Sequence, residues 1–146
     1  MDDYVVGLDE YKELNEKNPI GYTRDLITCI GVLLHLDSSS ILMHIAAFES
    51  GKVELQKFTK LVNERKNEIE KAEIFKAPKT VPSSLDKVCD VLINGDISFE
   101  IEDVFINYSN MTSVGYNYKT KTYYMVDMNL GEPEFTEVPK GYKIEL

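Results

Sequence analysis

Histidine and cysteine are scarce in this chain of 146 residues, each occurring twice: His35 and His44, Cys29 and Cys89. Neither C-x-x-C nor H-x-x-x-H spacing occurs, so although Cys29, His35 and His44 fall in one segment, a zinc site there would need a carboxylate from elsewhere. No metal is expected. Basic residues are the minority charge, 16 Lys and Arg against 25 Asp and Glu, for a net charge of −9. A surface of that average sign repels phosphate backbones and anionic lipid, which argues against nucleic acid and membrane partners. The eight glycines are scattered, and none forms G-x-x-x-x-G-K or G-x-G-x-x-G, so no nucleotide cofactor is expected. Long apolar runs are missing too: none approaches the roughly 20 residues that span a bilayer.

The start MDDYVVGLDE has no basic n-region of a secretory signal, so the expected setting is cytoplasmic. In that setting Cys29 and Cys89 are expected to stay separate, reduced thiols. The two N-x-S/T sequons at Asn107 and Asn110 carry little meaning there.

What the chain does have is 43% hydrophobic residues, enough at this length for one domain over 1–146. Tyr4 to Leu8 reads as a short strand, and Asp9 to Lys17 as a weak helix stopped by Asn18-Pro19 and Gly21. Leu26 to Leu34 and Ile41 to Phe48 are β-like runs around Asp37-Ser38-Ser39-Ser40, a hairpin. Ser50 would cap a helix from about Lys52 to Lys71, because Leu55, Phe58, Leu61, Val62 and Ile69 recur at spacings of three and four. Lys57, Lys60, Glu64, Lys66 and Glu68 would form its solvated face.

Glu73 to Ala77 reads as a strand, Ser83 or Ser84 to Leu92 as a second helix, and Ile97 to Ile106 as a strand. Ser113 to Tyr118 with Lys121 to Met128 reads as another hairpin, and Tyr142 to Leu146 as an edge strand. The sum is an α+β fold, mostly antiparallel sheets in a sandwich-like arrangement flanked by two helices. Glu100 and Glu102 share a strand face and are expected to be solvated. Tyr116, Tyr118, Tyr123 and Tyr124 are expected to pack across strands. Cys89 reads as a core or half-buried thiol.

The chemistry-bearing pair is Cys29 and His44. A thiol nucleophile needs a base near enough to take its proton, because the thiolate is the reactive form. If hairpin partners have numbers summing to 73, Cys29 lies directly opposite His44, with a turn at His35 to Ser38. If they sum to 77, His44 faces Leu33 and Cys29 stands four residues away along the strand, roughly 13 Å. Both registers are equally apolar. On residue type alone, a free cysteine is commonly a buried small hydrophobe and a lone histidine in an apolar strand a core residue.

Thr23, five residues, Cys29, an apolar strand, a polar turn and a second apolar strand bearing His44 together resemble the active-site segment of the CheD-like protein glutamine deamidases. That superfamily includes the chemoreceptor deamidase, the catalytic domain of cytotoxic necrotizing factor and Burkholderia lethal factor 1. The resemblance covers about Gly21 to Phe48. Its members place glycine or another small residue just before the cysteine, where this chain has Leu26-Ile27-Thr28. The resemblance implies a CheD-like fold, with Cys29 as nucleophile, His44 as general base and Thr23 as the group orienting the imidazole. It further implies hydrolysis of a glutamine side chain in a protein target, in a bacterial cytoplasm or, for an effector or toxin, a host cytosol. The rival class is a non-catalytic acidic interaction domain, inhibitor- or immunity-like, docking on a basic surface through its net charge. Neither class defines an oligomeric state.

Overall fold

The computed structural model describes residues 4–46, 51–106 and 111–139. Its elements run β1 (Tyr11–Leu14), β2 (Ile20–Arg24), β3 (Ile30–Leu36), β4 (Ser40–Ile45), α1 (Gly51–Arg65), β5 (Ile69–Lys76) and α2 (Pro82–Asn94). Then follow β6 (Phe99–Asp103), β7 (Phe105–Ile106), β8 (Thr112–Asn117), β9 (Thr122–Asn129) and β10 (Glu132–Val138). One sheet has the order β1-β4-β3-β5-β6; the other has the order β10-β9-β8-β2, with β7 beside β8. Strand neighbours are antiparallel except β5 and β6, which α2 joins as the long crossover a parallel pair requires.

Two apolar layers hold these elements together. Ile30, Val32 and Leu34 of β3, Ile41 and Met43 of β4, and Ala72 and Ile74 of β5 bury against Phe58, Leu61 and Val62 of α1 and Val88 and Leu92 of α2. The alternate residues Leu33, Leu42 and Phe75 face the second sheet, meeting Phe105, Val114 and Tyr116. The architecture is α+β, with two helices on one side of two packed, mostly antiparallel sheets, as the sequence pattern leads one to expect. β3 is buried on both faces, which is why it reads as an unbroken apolar run rather than an alternation.

Local elements differ from the sequence expectations for identifiable reasons. Asp9 to Lys17 is not helical: Tyr11–Leu14 forms edge strand β1, pairing with β4 from Tyr11↔Met43 to Leu14↔Ser40. Hydrogen bonds to an open sheet edge and the complete burial of Leu14 outweigh a weak helical preference. Tyr4 to Leu8 holds only an isolated bridge, Val5↔Tyr22. Gly21 is not a stop but lies within β2, where a Cβ would come within 2.8 Å of Leu14 Cδ2. α1 ends at Arg65 rather than Lys71, and Ile69 begins β5. Ile69 lies seven residues beyond Val62 and so mimics one more position of the helical stripe.

The expected strand from Ile97 to Ile106 is two pieces, β6 and β7, in different sheets. β10 was not anticipated; its alternation is broken by Pro133 and three glutamates. The Ser50 cap, the end of the second hairpin strand at Ala47 and Phe48, the two sequon asparagines and the expected Tyr142 to Leu146 strand lie outside the described residues.

Candidate functional site

The β3–β4 pairing follows neither expected register. Ile30 pairs with Ile45, Gly31 with His44 and Leu33 with Leu42, so partner numbers sum to 75. Leu36 N–H donates to Ser39 O at 2.8 Å across the turn, and Leu36 to Ser39 connect the strands. Cys29 is therefore not directly opposite His44. Continuing the register by one residue sets Cys29 beside Ala46, diagonal to His44 on the same side of the hairpin. That side is the layer between the sheets, against which Cys29 packs half-buried.

His44 is held from several directions. Its backbone N–H donates to Glu10 O at 3.1 Å, and its carbonyl accepts from Asp9 N–H at 3.0 Å. Its imidazole crosses the layer to the second sheet, where Nδ1 shares a 2.7 Å hydrogen bond with Oγ1 of fully buried Thr23 on β2. Nε2 is buried and has no hydrogen-bond partner among the described residues. Burial lowers the imidazole's pKa, with the Asp25 carboxylate opposing that shift, so the neutral ring is favoured.

The segment approaching Cys29 resolves its turn without glycine. Its left-handed residue is Asp25, at φ 60°, a residue type that tolerates this region; neither Ile27 nor Thr28 has positive φ. Asp25 N–H donates to Thr112 O at 2.8 Å. The Cys29 carbonyl accepts from Thr80 Oγ1 at 3.0 Å, and Thr80 Oγ1 in turn accepts from Ala77 N–H at 2.7 Å. Thr80 thus ties the Cys29 backbone to the loop after β5. Ile27 projects into solvent at 57% exposure, an apolar side chain two residues from the thiol.

Thr23 and His44 therefore meet in the inter-sheet layer, the layer against which Cys29 also packs, and no hydrogen bond joins Cys29 to His44 among the described residues. Cys89 stands apart on α2 against the helix-side core. Burial raises its pKa, with Asp86 and Asp90 adding to the rise. Glu100 is exposed as expected, whereas Glu102 is half-buried on β6. The tyrosines do pack across strands, Tyr116 pairing with Tyr123 at 5.1 Å between ring centroids. Among the described residues, no group of three His, Cys, Asp or Glu side chains is arranged to hold a metal ion. No helix among them is long and apolar enough to cross a membrane.

A second polar cluster escaped the sequence reading. Glu73, 1% exposed in the same layer, accepts hydrogen bonds from His35 Nε2 at 2.5 Å and from the Tyr123 hydroxyl. His35 Nδ1 meets Ser40 Oγ at 3.3 Å. The available signal was the glutamate inside the apolar run Ala72-Glu73-Ile74-Phe75, on the same strand face as Phe75. No protein-family model matches the chain, and no curated protein sequence is significantly similar to it.

Proposed function

We propose that the protein is a cysteine-dependent protein-glutamine deamidase with Cys29 as nucleophile, His44 as general base and Thr23 as the residue orienting the imidazole, on a CheD-like fold. The observation that carries the reading is the buried Thr23–His44 hydrogen bond at 2.7 Å, which leaves His44 Nε2 without a partner on the side of the hairpin where Cys29 packs. The resemblance of the Thr23-to-His44 segment to CheD-like active sites supports the same assignment of roles.

With Thr23 Oγ1 accepting from Nδ1–H, the Nε2 lone pair is the basic site. It takes the Cys29 thiol proton, and the thiolate attacks the glutamine side-chain carbonyl carbon, forming a carbon–sulfur bond and a tetrahedral oxyanion. Collapse breaks the carbon–nitrogen bond as the imidazolium returns its proton to the leaving nitrogen, releasing ammonia and a thioester. Water, deprotonated by His44, hydrolyses the thioester to glutamate and the free thiol. A diagonal strand pair lies about 7–8 Å apart, within reach of a ring side chain, so the imidazole stands near the thiol before substrate binds and the contact tightens in the complex.

The chain needs no metal or cofactor for this chemistry. Its target is a protein carrying an accessible glutamine, in a bacterial cytoplasm or a host cytosol. The test is mass spectrometry of cell lysate incubated with wild type and with Cys29→Ala, read as glutamine-to-glutamate conversions together with released ammonia. Conversions confined to wild type support the reading. Their absence, with salt-sensitive capture of a basic protein by both forms, favours the acidic interaction domain instead.

A further inference from the structure

A cavity of about 440 Å³ opens between the sheets beyond His35, within the size range of small-molecule sites. Gly31, opposite His44, and His35 are four residues apart on β3, roughly 13 Å along the strand, so this cavity lies well away from the Thr23–His44 contact. Its lining residues His35, Ser40, Tyr116 and Tyr123 belong to a hydrogen-bonded chain that ends on Glu73 behind them. The Tyr116 hydroxyl bonds Ser40, Ser40 meets His35, and His35 and Tyr123 converge on Glu73. His35 thus meets the carboxylate through Nε2 and Ser40 Oγ through Nδ1. That backing is polar, and Ser40, Glu73 and Tyr116 within it are buried.

The walls are aromatic: Tyr116 meets His35 edge-on at 5.4 Å, and Tyr118 lies under Lys121 Nζ, 3.4 Å from its ring centroid. The rim carries both charges. Lys71 and Lys121 line it with Asp37 and Glu70, and none of the four forms an ion pair with another described residue. Two ammonium and two carboxylate groups therefore surround one tyrosine-walled cavity without neutralising one another. A ligand carrying both charges at one end and a flat apolar group at the other matches that arrangement.

We infer that this cavity binds an aromatic α-amino acid as its zwitterion. Lys71 and Lys121 hold the carboxylate, Asp37 and Glu70 the ammonium, and the half-buried Tyr118 and Tyr123 flank the ring. The inference stands independently of the deamidase reading, because it uses none of Cys29, His44 or Thr23.

The test is isothermal titration of the full chain with L-phenylalanine, with phenylacetate, which lacks the ammonium, and with phenethylamine, which lacks the carboxylate. The expected result is saturable L-phenylalanine binding, with each analogue about tenfold weaker, the equivalent of 1.4 kcal/mol for one lost charged contact. Lys121→Gln and Asp37→Asn, both at exposed positions, are expected to weaken L-phenylalanine binding similarly while leaving the circular dichroism spectrum unchanged. No saturation below about 10 mM, equal binding of either analogue, or binding unmoved by both substitutions would overturn the inference.

Discussion

Thr23 Oγ1 and His44 Nδ1 lie 2.7 Å apart, and because Thr23 belongs to β2 and His44 to β4, their hydrogen bond joins the two sheets. It fixes the ring plane and commits one ring nitrogen, so the free nitrogen is Nε2. Replacing Thr23 by Val keeps the shape and removes the bond, leaving both ring nitrogens buried without partners. Stability is expected to fall by about 1–3 kcal/mol, read as a lower urea midpoint at unchanged slope. The proposed deamidase activity is expected to fall less in Thr23→Val than in Cys29→Ala, since in that proposal Thr23 acts through the imidazole and touches no reacting atom.

Acid sensitivity has a local source in Glu13. Arg65 reaches it with two donors, at 3.1 and 3.0 Å, and Ser39 Oγ donates a third bond at 2.7 Å. These contacts, Arg65 first, hold its carboxyl below the usual range. A depressed carboxyl pKa stabilises the fold above the unfolded value, near 4.3, and that contribution is lost as pH falls through the folded value. The pair is partly exposed, so screening limits its worth to roughly 1 kcal/mol. Glu13→Gln is expected to lower the melting temperature at neutral pH and to lose less on acidification below about pH 4 than wild type does.

At the alkaline end, burial and then the charge of Glu73 push the Tyr116 hydroxyl up to about 12. A raised tyrosine pKa leaves its contribution intact below the unfolded value, near 10, and removes it as pH rises through the folded value. Alkaline unfolding between about pH 10 and 12 is expected to be shallower in Tyr116→Phe than in wild type, followed by far-ultraviolet circular dichroism.

Glu73 depends on donors that include His35 and Tyr123. Tyr123→Phe removes one hydroxyl from a carboxylate that is almost wholly enclosed, and the expected loss is about 1–3 kcal/mol. Glu73→Gln, nearly isosteric, is expected to cost less in the Tyr123→Phe background than in wild type; thermal denaturation of the single and double variants measures that coupling.

The layered α+β plan was legible because Phe58, Leu61 and Val62 repeat with helical spacing and because Tyr116 and Tyr123 sit in paired β-rich runs. The hairpin register was not. β3 and β4 are buried on both faces, so sums of 73, 75 and 77 keep the same residues on each face and differ only in which partners meet. The register is decided from outside the hairpin: β1 and β5 clamp it on either side, and the Leu36–Ser39 turn closes it. β2 was hidden because Gly21 looks like a breaker until Leu14 is seen filling the space its missing side chain leaves. The His35–Glu73–Tyr123 cluster draws on β3, β5 and β9, and no local spacing anticipates a meeting of three distant segments.

The most direct measurement is the rate of iodoacetamide labelling of Cys29 and Cys89 from about pH 5 to 9, in wild type and His44→Ala. Cys89, with its pKa raised by burial, is the internal reference for a slow thiol. Cys29 is expected to label much faster than Cys89 on the acid side of neutrality, and His44→Ala to abolish the difference. Equal, slow labelling of both thiols across the range, unmoved by His44→Ala, would contradict a Cys29 nucleophile paired with His44.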